Sequence, residues 1–338
     1  MTFKQSFGAL AALVATVLAA SRTSPPSGSI TVCSSGCNYS TIQKAVSSIS
    51  TSSKDEHSIF IYSGTYTEQV TIPVLSGKLN IYGYTKDTTD YSGNVVNLEW
   101  KSALATGAAD DEHTAALINT SPNVAVYNIN IKNTYGKPSG SNGQAIALSA
   151  YNTEQGYYGV GLYGYQDTLL AQTGNQIYAN SYIEGAVDFI FGQHARTWIT
   201  NSKIVSVGAG AITASGRASS SDTSYYVITD STIEAGSISG SSAPAAGTVY
   251  LGRPWGAYAR VAFQRCSLSN IINSAGWEVW STSDTRTSDV SFGEYGNTGA
   301  GAGASGTRAS FSSKLSSALS ISTVLGSDYA SWVDSAYL

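Results

Sequence analysis

Apolar and polar residues alternate in short runs along most of the chain, and one run recurs. It has alternating positions, then Asn or Asp, Ser, any residue and an aliphatic. Copies stand at residues 177–183 (IYANSYI), 198–204 (WITNSKI) and 227–233 (VITDSTI), with a weaker copy at 262–268 (AFQRCSL). From Ser181 the spacing is 21 positions to Ser202, 29 more to Ser231 and 35 more to Cys266. A second pair, residues 81–84 (IYGY) and 162–165 (LYGY), looks alike at a distance of 81. Alternation of this kind signals strands with one buried face. Recurrence near 21 residues, with variable insertions, suits a solenoid whose coils each hold a few strands. A β-sandwich also has many short strands, but it has no reason to repeat one motif at coil spacing. The pattern, together with the motifs below, is read as an all-β chain, a right-handed parallel β-helix built as a single-stranded solenoid over residues 30–338.

A solenoid must close its ends. Residues 39–49 predict a short N-terminal capping helix, with Ser40 or Thr41 as N-cap and Ile42, Ala45, Val46 and Ile49 at helical spacing. The tail carrying Phe311, Leu315, Leu319 and Val324 either packs along the outside or closes the far end. Residues 299–306, rich in Gly and Ala, read as an exposed loop.

Composition narrows the class. Of 338 residues, 12% are charged, about half the usual share, while 42% are hydrophobic, enough to build a core. The net charge is −4 and no basic tract exists, so neither nucleic acid nor an anionic membrane is an expected partner. Lys4, an apolar run over residues 7–20 and small residues at Ala19, Ala20 and Ser21 read as a signal peptide over residues 1–20. That run is too short to span a bilayer. Residues 21–29 then form a lead-in linker to the β-helix domain of a secreted chain. Cys33 and Cys37 are close enough to bridge, leaving Cys266 over. Asn38 and Asn119 head glycosylation sequons.

Three segments stand one coil apart. They are residues 143–148 (GQAIAL), 164–169 (GYQDTL) and 185–192 (GAVDFIFG). Gln144 to Gln166 is 22 positions, and Asp167 to Asp188 is 21. Residues one coil apart stack on neighbouring strands about 4.8 Å apart, so two amides and two carboxylates gather in one patch of wall. Asp188 lies among Val187, Phe189, Ile190 and Phe191, where a carboxylate is costly unless paired. Either it has a function, or strand alternation turns it to solvent.

With residues 64–68 (GTYTE) and 251–255 (LGRPW), these segments occur in an order that resembles the pectin methylesterases, especially their fungal secreted members. The likeness runs from about Ile30 to Leu338. Ile146 departs from the valine many members carry. The resemblance implies hydrolysis of pectin methyl esters, with Asp188 as nucleophile, Asp167 as acid/base, Gln144 and Gln166 as oxyanion donors and Arg253 paired with Asp188. It also implies sugar contacts from Trp255, Tyr165 and Phe191. A guanidinium beside Asp188 favours its ionised form, and the neutral amides stabilise the tetrahedral oxyanion. Asp188 in turn raises the pKa of Asp167, so that Asp167 starts protonated. No cofactor or metal is expected, and the protein is expected to act as a monomer on pectin. The mild acidity favours neutral, methylated stretches over charged product.

Other readings stand beside this one. Residues 64–68 suit a fold-shaping strand and turn better than a catalytic element. Trp277 suits a core or a groove equally. Asp110, Asp111 and Glu112 form either a solvated loop or a calcium site. A serine esterase would need a GxSxG elbow, and none is present. A zinc hydrolase would need clustered ligands. Pectin-cleaving β-helix enzymes would call for a His-Gly pair with clustered aspartates, or for a calcium site. No His precedes Gly here. A solenoid that only binds polysaccharide would not need an Asp amid apolar residues.

Overall fold

The structure, a computed structural model, describes residues 20–303 and 307–338. Of the leader expected at 1–20, residues 1–19 lie outside the described residues. Among the described residues the chain coils through three sheets in rotation, and every strand-to-strand ladder is parallel. The first sheet has eleven described strands, the second seven and the third eight. A middle coil shows the plan. Thr173–Ala179 lies in the first sheet, Tyr182–Gly185 in the third and Ile190–Gly192 in the second; His194–Thr200 then returns to the first.

Register lines up the core. Ile59, Ile81, Val126, Tyr157, Tyr178, Ile199, Ile228 and Phe263 succeed one another on neighbouring strands of the first sheet, and all are buried. Tyr157 and Tyr178 stack at 4.9 Å with 6° between planes, the spacing that adjacent strands impose. In-register stacking of apolar side chains packs the coil interior. Truncating one of these, such as Ile199→Ala, would cost about 2–5 kcal/mol.

The recurrent Asn/Asp-Ser motif marks the corner from the first sheet to the third. Asn180, Asn201 and Asp230 have φ of 52°, 48° and 50°, the left-handed region that short polar side chains tolerate best. The serines that follow form a buried hydroxyl ladder. Ser181 N donates to Ser202 Oγ and Ser202 N to Ser231 Oγ, each at 3.1 Å. The likeness of residues 81–84 to 162–165 has no such basis. Leu79–Gly83 belongs to the first sheet and Gly161–Tyr163 to the third.

At the N-terminal end the helix Ile42–Ser47 buries Ile42, Ala45 and Val46. Thr41 caps it, and the Glu68 carboxylate accepts from the Ile42 and Gln43 N–H groups at 2.7 and 3.0 Å. An anion at a helix N-terminus is favourable, so the segment 64–68 has a structural role. The lead-in at 21–29 is not free: Arg22 lies over the rings of Tyr82 and Tyr127 and donates to Asn128. Cys33 and Cys37 form a disulfide, and Cys266 is free and buried. The tail does both things expected of it. Phe311 meets Phe292 at the far end, while Leu315, Leu319 and Val324 lie on the outside of the first sheet. Within the expected loop at 299–306, Gly301 is buried beside Ile272, and residues 304–306 lie outside the described residues.

Candidate active site

The corner from the third sheet to the second carries the two aspartates. Asp167 follows Gly161–Tyr163 and Asp188 follows Tyr182–Gly185, with φ of 63° and 50°. Asp188 is therefore not a strand residue. The strand begins at Ile190, and the left-handed corner lets Phe189 enter the core while Asp188 points away from it. Gln166 pairs with Val187 across the coils, and Asp167 N donates to Val187 O at 3.1 Å, which stacks the two corners. Both aspartates keep only a sliver of exposure, 8% for Asp167 and 9% for Asp188.

Their surroundings differ. Arg253, on Val249–Pro254, grips Asp188 as a fork, Nε to Oδ1 at 2.9 Å and Nη2 to Oδ2 at 2.8 Å. A two-point fork fixes the carboxylate plane as well as its charge. Asp167 has no hydrogen-bond partner for its carboxyl among the described residues. Burial, then the charge of Asp188, then that of Asp111 push its pKa well up, against an opposing pull from Arg253. One carboxylate is thus held by a cation, while its neighbour favours the protonated form.

Gln144 and Gln166 flank the pair from adjacent coils. Neither amide nitrogen donates to a protein acceptor among the described residues, and Gln144 Oε1 is buried without a partner. Phe191 is buried on the outer face of the second sheet, in line with Leu170 and Ala214, and Arg253 stands one strand further along. Its ring faces Trp255 at 6.1 Å. Tyr165 is buried on the other side of the corner, against Ala186, Val205 and Val207. Trp277 is a core residue, stacked on Phe292 at 4.3 Å.

The arrangement can carry out nucleophilic acyl transfer. It offers an oriented carboxylate, a neighbouring acid and two unengaged amides beside one wall. Among the described residues no group of three or more His, Cys, Asp or Glu is placed to hold a metal.

Comparison with known proteins gives the family. The family model for Pectinesterase covers residues 29–321. The chain belongs to the pectinesterase family. A pectinesterase of Aspergillus aculeatus is 52% identical over 332 residues, 97% of this chain and 98% of that one. One from Aspergillus niger is 53% identical over 327 residues, 96% of each. The solved Aspergillus niger pectin methylesterase superposes with a TM-score of 0.85 at 41% identity, covering 94% of this chain and all of that one. The carrot enzyme gives 0.76 at 27% identity, over 87% and 90%. Family membership makes the chain a carboxylic ester hydrolase.

Within this pectinesterase fold, three neighbours of the site were not assigned to it from the sequence. Trp280 lies against the Arg253 guanidinium at 4.6 Å and also takes Arg286 at 5.0 Å; Arg286 in turn donates to the Trp255 carbonyl. Glu278 is close enough to Arg253 and Asp188 to feel both, and burial raises its pKa. Asp111 is near enough to Asp167 for its charge to raise that carboxyl's pKa, whereas Asp110 pairs with His113 at 2.7 Å. The alternation in residues 276–280 (GWEVW), with Trp277 inward and Trp280 outward, was the available signal for Trp280.

Proposed function

We propose that this chain hydrolyses the methyl esters of polygalacturonate in pectin through an aspartyl acyl-enzyme. Asp188 attacks the ester carbonyl, and the Gln144 and Gln166 amides receive the oxyanion. Asp167 gives its proton to the departing methoxide, and methanol leaves. The resulting anhydride carries the substrate acyl group on Asp188. Asp167, now a carboxylate, takes a proton from water as the water oxygen attacks the acyl carbonyl. The acid product forms, Asp188 is released as a carboxylate, and Asp167 is again protonated. Trp255 lines the sugar groove, with Phe191 as its floor and Tyr165 bracing the corner. The fork of Arg253 on Asp188, beside a carboxyl that favours its proton, carries this reading.

The remaining expectations belong to the same reading. The coil is right-handed and the helix Ile42–Ser47 is its cap. The leader at 1–20 directs secretion. The enzyme works as a monomer on pectin, with no nucleic-acid or membrane partner. Among the described residues no helix is long and apolar enough to cross a membrane. Of the two sequons, Asn38 is exposed and open to a glycan. Asn119 is buried and hydrogen-bonded to the Tyr157 hydroxyl at 3.1 Å, so it is closed to one in the folded chain. A methanol assay on pectin with wild type and Asp188→Ala tests the mechanism. Equal release from both would refute it.

A further inference from the structure

A cavity of about 910 Å³ opens on the outer face of the third sheet, around the corner from the catalytic pair. Its floor carries Glu99, Lys132 and Tyr163 in register on successive strands, with Glu184 on the strand after them. Residues 134–139 form one wall and residues 238–240 the other. The two ends of this row are acids, and Lys132 is already paired with Glu99 at 3.2 Å. Glu184 accepts from the Tyr182 hydroxyl at 2.7 Å, and Lys137 makes no ion pair among the described residues.

The cavity adjoins the catalytic machinery. Gly164 lines it, three residues before Asp167. Pro138 also lines it and packs against Gly143, the residue before Gln144. A methyl on Gly143 would stand 2.5 Å from Pro138 and 2.9 Å from Gln166 Oε1. The wall of the cavity therefore packs on Gly143, which adjoins Gln144 in sequence and Gln166 in space.

We propose that this cavity is a second binding site for the polymer, taking a neutral, hydroxyl-rich stretch of the same chain whose ester is being cleaved. This rests on the pectinesterase mechanism proposed above. An anion would meet Glu99 and Glu184, and a cation would meet Lys132 and Lys137. An apolar ligand would leave the Tyr163 and Ser139 hydroxyls and the Lys137 ammonium without partners. A methylated uronide offers hydroxyls that both donate and accept, to carboxylates and ammonium groups in alternation, and a ring face for Tyr135. Polymer held here keeps the next ester within reach of Asp188.

The double variant Tyr135→Ala, Lys137→Ala tests this, because among the described residues neither side chain makes a hydrogen bond, ion pair or ring contact. Methanol release is measured on highly methylated pectin and on a methylated trimer too short to reach around the corner, with a thermal melt as the folding check. The expected result is a KM for polymer raised about five-fold, the effect of one or two lost hydrogen bonds, with kcat and trimer kinetics unchanged. An unchanged polymer KM, as for a cavity that serves a protein partner instead, would overturn the proposal. So would equal losses on trimer and polymer, which would make these residues part of the catalytic groove. If the wild type releases no methanol from either substrate, the underlying mechanism fails and this proposal with it.

Discussion

Two corners of the same coil use the same backbone device for different ends. Between the first and third sheets, Asn128, Asn180, Asn201 and Asp230 sit at positive φ. Three of those side chains are engaged locally. Asn128 donates to Asp90 O at 2.9 Å, Asn180 donates to Thr89 O at 2.8 Å, and Asp230 is gripped by Arg265. Between the third and second sheets, Asp167 and Asp188 adopt the same conformation. There one carboxylate meets a guanidinium from two coils away and the other meets no hydrogen-bonding group among the described residues. A left-handed corner calls for a short polar side chain in either place. Whether it becomes a brace or a reagent depends on what the neighbouring loops bring to it.

Removing the proposed nucleophile should hurt most. Asp188→Ala is expected to lower methanol release on the order of 10⁴-fold while the fold persists. A rate near wild type would reduce the second corner to a brace. Asp167→Asn keeps the left-handed preference but cannot donate an acid proton, and should lose on the order of 10³-fold in kcat. Gln166→Ala should lose on the order of 10²-fold or more, read as kcat with KM little changed. Asn180→Ala, at the first corner, should leave kcat alone and reduce stability by about 2 kcal/mol, from left-handed strain and a lost hydrogen bond. A change in kcat there would blur the distinction.

Proton linkage gives a finer test. The pKa of Asp167 is raised by burial and by Asp188, so the folded state holds this proton more tightly than the unfolded chain. Its contribution to stability is full below the unfolded carboxylate pKa and is lost as pH climbs through the raised folded value. Asp167→Asn should therefore melt above wild type near neutral pH, with the gap closing as the solution is acidified. The rate of the wild type should fall as pH rises through the same ionisation. Parallel melting curves at every pH would mean that the site does not strain this carboxylate.

The repeat was readable because it is enforced coil by coil. Ser181, Ser202 and Ser231 stack in one ladder, so their spacing survives in the chain. Asp167 and Asp188 were readable for the same reason, standing at the same place one coil apart. Arg253 came from the family motif around it. The corner conformation was not legible, because an Asp among apolar residues looks the same in a strand as in a turn. Trp280, Arg286 and Asp111 belong to loops with no period, and only the folded coil brings them to the site. The cost of an unpartnered buried group such as Gln144 Oε1 likewise has no trace in a linear pattern.

The tail reaches back over most of the coil. Leu319 exchanges hydrogen bonds with Gln264, Leu325 O accepts from Asn175, Asp334 meets Tyr127 and Tyr158, and the Tyr337 hydroxyl donates to Thr88 O. A stack of rungs that touch only their neighbours can peel from either end, one rung at a time. This splint ties early rungs to late ones, so peeling must first prise off residues 319–337. During synthesis the lock closes only when residue 337 has emerged, and a ribosome that stops a few codons short leaves a frayed spring.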